Sequence, residues 1–302
     1  MKKGYYIILG VVVIVLLSFG VQNRIVNAEM NNDESIRVLY QEAVEKGKVN
    51  SEKYTFEAFK ENYSLAENEY QTLKNIIGQD LNFGQWFADI ANYGAFPDGE
   101  GHSPSEKKTN NLLQASQTSN GNKLKNTIRK GDILIISSGG FGHAAIATSD
   151  TYILEMSGGG DNPAKWFAGG ISDNNHQFSK DKWIFGGSEQ GATSARHIKD
   201  WIQLWRVPDN SMAIKCANYA DATFWNSGHG YTKNRHIAYR LTAATTTLNP
   251  NYCSKLVFQS FYYGSGNATV IQPSMAGLSF VSPGALPNLF AGKYAPYKVG
   301  TF

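Results

Sequence analysis

The 302-residue chain has 42% hydrophobic and 13% aromatic residues, a composition that supports a packed core and excludes a wholly disordered protein. Its formal net charge is +3 at pH 7, and residues 1–28 carry three basic residues and no acidic one. The remainder is formally neutral, so no basic excess indicates a nucleic-acid partner.

The N-terminus has the three parts of a secretory signal peptide. Lys2 and Lys3 precede an apolar run at residues 7–17, and residues 26–28 are small enough for a signal peptidase. An uncleaved membrane anchor is the alternative, because the apolar stretch 4–21 nearly reaches spanning length. The short apolar run favours cleavage after residue 28. We therefore expect a secreted or cell-envelope protein that meets the membrane only through this segment, if it stays uncleaved.

Residues 29–94 have the apolar periodicity of helices. Asp33 is a candidate N-cap of the first helix, Ser64-x-x-Glu67 has the pattern of a capping box, and Asn82 begins a third helix. These features predict a helical extension, a clamp or pro-segment without chemistry of its own.

Residues 95–127 are polar and predict a linker or mobile loop. A catalytic domain is expected over residues 128–302. Its apolar patterns mix strands with helices, which indicates an α+β domain. The strands are predicted at 133–136, 143–148, 152–156, 183–185 and 202–207, and the helices begin at Ser211 and at about Asn251.

The chain has two cysteines, and their contexts differ. A single disulfide between them is one alternative for an exported protein. Cys216 lies on the apolar stripe of its helix, which predicts a buried thiol. Cys253 lies in the first turn of its helix, with Asn251 as a candidate N-cap, where unpaired amides and the helix dipole lower a thiol pKa. Cys253 is the candidate nucleophile, although an inert buried thiol would fit the same pattern.

Among the six histidines, His143 is the candidate base. It begins an otherwise apolar strand directly after a glycine-rich turn, and a structural histidine is the alternative. The other five lie in loops or before a strand, and no pair has convincing metal-ligand spacing. We predict neither a metal nor another cofactor.

Glu155 is a carboxylate inside an otherwise apolar strand. A three-residue hairpin loop at 149–151 would pair Ala145 with Glu155 and place Glu155 on the same face as His143. The carboxylate would then orient the imidazole, as in a catalytic triad. A two-residue loop would put the two side chains on opposite faces.

Four motifs resemble, in this order, the circularly permuted NlpC-type papain-like amidases of the YiiX/YaeF-like group: Gly131-Asp132-Ile133-Leu134, Gly142-His143-Ala144-Ala145-Ile146, Ile153-Leu154-Glu155 and Tyr252-Cys253-Ser254-Lys255-Leu256-Val257. The resemblance covers about residues 128–290, and Ala285 replaces an acidic residue usual in that family. It implies a permuted papain-like domain with an antiparallel sheet packed on helices. It further implies Cys253 as nucleophile, His143 as general base and acid, and Glu155 as the residue that orients His143.

Export and this resemblance together favour hydrolysis of amide bonds, with a peptide or acyl-amide substrate that comes from the cell wall. A thiol acyltransferase or lipid or ester hydrolase of the same fold is the first alternative. A catalytically inactive envelope-binding protein is the second. Trp166 and Phe167 are candidate pocket walls, with a core role as their alternative.

Overall fold

A computed structural model describes residues 32–77, 82–108, 114–137, 140–159, 170–190, 192–242, 244–273 and 280–302. The predicted signal peptide and the pocket candidates Trp166 and Phe167 lie outside the described residues. Within the described ranges, no helix combines the length and the apolar character needed to cross a membrane.

The C-terminal region, residues 128–302, is built on one six-stranded sheet in which all neighbouring strands are antiparallel. The strand order is β4-β3-β2-β1-β7-β8. The strands are β1 (Ile133–Ser137), β2 (His143–Ala147), β3 (Tyr152–Met156), β4 (Asn175–Ser179), β7 (Trp201–Arg206) and β8 (Tyr297–Thr301), and a separate pair is formed by β5 (Gly187–Glu189) and β6 (Ala192–Ala195).

Both faces of this sheet are covered, because apolar side chains of the inner strands alternate between two cores. On β2, Ala144 and Ile146 pack in the core formed with α7 (Asn210–Phe224) and α8 (Cys253–Gly264). Ala145 and Ala147 pack in the other core. That second core includes residues of α5 (Gln114–Thr127) and α6 (Lys180–Phe185). This arrangement confirms the predicted α+β class.

The N-terminal helices form a third core of mainly aromatic side chains. They are α1 (Asn32–Glu45), α2 (Phe56–Ile77) and α3 (Phe83–Asp89), followed by a 3-10 turn (Asn92–Gly94). This extension packs on the C-terminal region, because Leu241 and Phe280 contact both its core and the α7–α8 core.

Several predicted elements are corrected by the structure. Ser64 lies inside α2 and its hydroxyl donates to the Lys60 carbonyl, so the predicted capping box does not begin a helix. The predicted helix start at Asn82 is confirmed, and the structure shows that Asn82 forms a capping box with Gln85. Residues 183–185, predicted as a strand, belong to α6. A short apolar run does not distinguish a strand from a buried helical turn, which explains this error.

The segment predicted as a polar linker or loop, residues 95–127, contains α4 (Pro104–Lys108) and α5. Leu124 of α5 is fully buried beneath the sheet. Lys107 of α4 is also buried, and its Nζ donates to the carbonyls of Asp200 (2.6 Å) and Phe302 (2.7 Å). The segment is polar because its buried contacts are made largely by hydrogen bonds, which apolar periodicity does not detect.

Candidate active site

The Cys253 thiol lies at the N-terminus of α8. Tyr252 is the N-cap residue with extended backbone and no capping side chain, so Cys253 is the first helical residue. The prediction of Asn251 as the N-cap is wrong. Its buried side chain accepts a hydrogen bond from the Tyr252 amide and donates one to Gln259. The amides of the first turn therefore remain unpaired by a side chain beside the thiol, which is only 2% exposed.

His143 begins β2 and lies within hydrogen-bonding reach of Cys253. Its Nε2 atom lies 2.9 Å from Oε2 of Glu155, which leaves Nδ1 as the ring nitrogen available to the thiol. Burial alone would raise the pKa of the Cys253 thiol, but the hydrogen bond and charge of His143 and the Ala144 amide outweigh burial and lower it. Burial alone would lower the pKa of His143, but Cys253 and Glu155 raise it. These opposite shifts favour a thiolate–imidazolium pair.

Glu155 lies on β3, directly opposite Ala145 of β2, which is the register expected for a three-residue hairpin loop. Its side chain is 1% exposed, and its Oε2 accepts hydrogen bonds from His143 and from the Trp183 indole at 2.6 Å. Burial alone would raise the pKa of this carboxyl, but the hydrogen bond with His143 and the nearby His197 ring lower it. The structure thus brings the three predicted site residues together, with His143 between Cys253 and Glu155.

His197 is a site residue that sequence analysis missed. It lies in the loop between β6 and β7, with its Nε2 atom 3.4 Å from Oε2 of Glu155. Its ring is nearly parallel to that of His143, with the planes 15° apart and the centroids 5.8 Å apart. On the other side, Nδ1 is hydrogen-bonded to Asp200 at 2.8 Å. The spacing of His197 and Asp200 is a weak sequence signal, and it does not predict proximity to Glu155.

Glu69 is a second missed residue, and it comes from the N-terminal extension. Its Oε2 accepts a hydrogen bond at 2.8 Å from the backbone amide of Phe141, two residues before His143. A Cβ atom added at Gly140 would lie 2.0 Å from the same oxygen, so only glycine fits there without displacing the carboxylate. Burial raises the pKa of Glu69 to about 7. The extension, predicted to carry no chemistry, therefore contacts the turn that precedes the candidate base, His143.

Three aromatic rings in contact connect this turn with Tyr252, the residue before Cys253. The Phe141 ring packs on Phe280 at 4.9 Å, and Phe280 stacks on Tyr252 at 5.1 Å with the planes 8° apart. Tyr239, also buried, lies within electrostatic reach of both Cys253 and Glu69. The surroundings of the thiol are therefore apolar and aromatic.

Cys216, the other cysteine, is fully buried in α7 and is not bonded to Cys253. Burial raises its thiol pKa to about 12. This contradicts the disulfide alternative and leaves Cys253 as the candidate reactive thiol of the two.

Ligand-type atoms of His143, Glu155 and His197 lie within 4.8 Å of one another. Nε2 of His143 is already hydrogen-bonded to Glu155, so a metal ion bound by this set would have to replace that hydrogen bond.

Comparison with known proteins identifies the family. Residues 105–302 match the family model of lipoprotein N-acylation LnsA-like proteins. A protein of Bacillus thuringiensis, described as an uncharacterized 30.3 kDa protein, is 36% identical over 180 residues. That alignment covers 58% of this chain, and the chain spans 58% of that relative's length. No solved structure matches the chain.

The matched segment contains Cys253, His143, Glu155 and His197, whereas Glu69 lies outside it. The family is distinct from the NlpC-type amidases that the motifs resemble, and membership of that group is not confirmed. The chain belongs to the family of lipoprotein N-acylation LnsA-like proteins.

Proposed function

We propose that the chain is a thiol acyltransferase of the cell envelope that transfers an acyl group to the N-terminal amine of a lipoprotein. The observation that carries this proposal is the Cys253–His143–Glu155 line within the segment that matches the N-acylation family. The sequence resemblance favoured amide hydrolysis in cell-wall peptides, and the family match instead supports the acyltransferase alternative.

In the first half-reaction, the Cys253 thiolate attacks the carbonyl carbon of an acyl ester. The carbon–oxygen bond of the ester breaks, and the leaving alkoxide takes the proton of the His143 imidazolium, so an S-acyl enzyme and an alcohol are formed. The amide of Cys253 at the start of α8 is one donor available to the developing oxyanion.

In the second half-reaction, the lipoprotein amine attacks the thioester carbonyl. His143, now neutral, accepts the proton that the amine loses, and the thiolate leaves with an amide formed on the acceptor. Glu155 keeps the His143 ring in place through both proton transfers and stabilises its charged form.

The burial of the pair supports transfer over hydrolysis. Cys253 is 2% exposed and the His143 side chain is 14% exposed, so an S-acyl group there would be poorly accessible to bulk water. The aromatic lining formed by Phe141, Phe280 and Tyr252 is compatible with an apolar acyl chain.

The test incubates the full chain with phospholipid vesicles as acyl ester donor and a lipopeptide with a free N-terminal amine as acceptor. Mass spectrometry should detect N-acylated lipopeptide with the wild type and with Cys216→Ala, the matched control, but not with Cys253→Ala. Release of free fatty acid with unmodified lipopeptide would instead identify a hydrolase. Equal N-acylation by Cys253→Ala would refute thiol catalysis.

A further inference from the structure

The His197 ring is fixed on several sides. Its backbone amide donates to the Trp183 carbonyl, and its ring packs on the Trp183 indole with centroids 4.3 Å apart. Nδ1 is held by Asp200, and only 15% of the side chain is exposed. These contacts leave Nε2 directed at Glu155, 3.4 Å from the oxygen that also binds His143.

The hydrogen-bond partners determine where the protons of His197 lie. An ionised Asp200 only accepts, so Nδ1 of His197 carries a proton. Nε2 then bears either a lone pair or a second proton. A lone pair facing the Glu155 carboxylate would be repelled, whereas an N–H is attracted to it. Nε2 is buried and has no hydrogen bond within the described residues, so the attraction across 3.4 Å is chiefly one of charge.

We propose that His197 is held as a second imidazolium and is a positioning residue for the Cys253–His143 pair. Its positive charge partly offsets the negative charge of Glu155, so Glu155 stabilises the protonated form of His143 less strongly than it would alone. The charged groups then alternate in sign from Cys253 through His143, Glu155 and His197 to Asp200. Lys107, whose Nζ donates to the Asp200 carbonyl, is the further cation on this side. The inference rests on the Cys253–His143 pair of the proposed function, and it holds whether that pair transfers or hydrolyses acyl groups.

This arrangement has a defined effect on the pH dependence of the thiol. A positive charge about 6 Å from the His143 ring makes thiolate formation easier and proton loss from His143 easier. The Cys253 reactivity profile has an acid limb, where the thiolate forms, and an alkaline limb, where His143 loses its proton. Removal of the His197 charge should move both limbs to higher pH, by about one unit and by no more than about two.

The experiment measures the rate of iodoacetamide alkylation of Cys253 against pH in the full chain. His197→Gln keeps a side chain that can donate to Glu155 but has no charge, so both limbs should move up. Asp200→Asn should give a smaller shift of the same sign, because His197 loses its proton and a more distant negative charge is also removed. His176→Gln is the matched control, since His176 faces Glu155 across β3 and β4 and burial lowers its pKa.

The sign of the Asp200→Asn shift separates the proposal from a structural role. If His197 were neutral, Asp200→Asn would remove only a negative charge and move the limbs down, and His197→Gln would leave them in place. Either result overturns the proposal, as does a neutral His197 ring in ¹⁵N NMR spectra at pH 7.5. If His197→Gln fails to fold, Asp200→Asn and the NMR measurement still decide. A wild-type profile shifted by a chelator would assign the position to a metal ion and would also overturn it.

Because alkylation requires neither acyl donor nor acceptor, its outcome is independent of the N-acylation assay. If the limbs shift as expected but no N-acylation is detected, the assignment of His197 stands and the proposed reaction is rejected. If N-acylation is detected but the limbs do not shift, the proposed reaction stands and the assignment of His197 is rejected.

Discussion

Substitution of Glu155 by glutamine tests the site most directly, because it removes one buried charge and changes almost no volume. Glu155 Oε2 lies 2.9 Å from Nε2 of His143 and 2.6 Å from the Trp183 indole nitrogen. The glutamine oxygen can still accept both hydrogen bonds, so the fold should persist. With charge centres about 4 Å apart and an effective dielectric constant near 20, the lost attraction is about 4 kcal/mol.

Part of this loss is offset, because the glutamine oxygen still accepts the hydrogen bond of the His143 imidazolium. A net loss of about 2–3 kcal/mol in stabilisation of the His143 imidazolium should lower the acyl-transfer rate roughly 30- to 150-fold. The same loss should move the alkaline limb of Cys253 alkylation down by about 1.5–2 pH units, because burial and Glu155 act in opposite directions on the pKa of His143.

The assay pairs the alkylation profile with circular dichroism and thermal unfolding. Glu189→Gln is the matched control, since Glu189 is a buried carboxylate whose Oε2 accepts from the Ser179 amide, away from His143. A folded Glu155→Gln variant with an unchanged alkaline limb and an unchanged transfer rate would refute the assignment of Glu155 as the residue that supports the base.

Three further predictions follow from the burial of individual groups. Near neutral pH iodoacetamide should label Cys253 and leave Cys216 unreacted, because burial raises the Cys216 pKa to about 12; peptide mapping that finds equal labelling would contradict this. Cys216→Ala should retain acyl transfer while losing about 1–2 kcal/mol of unfolding free energy in urea titrations. The pKa of Glu69 is raised from 4.5 to about 7, so its stabilising contribution is present below pH 4.5 and is lost as pH rises through about 7. Glu69→Gln, fixed in the neutral form, should therefore match the wild type near pH 4.5 and unfold at higher urea concentration above pH 7; a difference independent of pH would show that Glu69 does not titrate in this window.

Local pattern was sufficient where neighbours in sequence decide the structure. The sequence left two registers open for the β2–β3 hairpin, and the structure has that of the three-residue loop, which brings Glu155 to His143. The position of Cys253 at a helix start was also predicted, although its N-cap was not, because the Asn251 side chain instead forms buried hydrogen bonds with the Tyr252 amide and Gln259.

The residues that sequence analysis missed depend on contacts between distant parts of the chain. Glu69 meets the Phe141 amide across 72 positions, and its spacing within α2 is that of an ordinary exposed helical residue. No local periodicity encodes such a contact, because it is decided by how the N-terminal core packs on the sheet.

The sequence by itself determined the α+β class, the nucleophile candidate at a helix start, and a histidine and carboxylate on adjacent strands. Only the tertiary structure decided that the N-terminus of α8 lies beside the start of β2, so that the Cys253 sulfur reaches His143, and that a loop after β6 brings His197 to the same carboxylate oxygen of Glu155. The physical reason is the separation in sequence over which each effect acts. Side-chain periodicity and hairpin register act over a few residues, whereas the protonation and reactivity of this site depend on charges brought together by the packing of three separate cores.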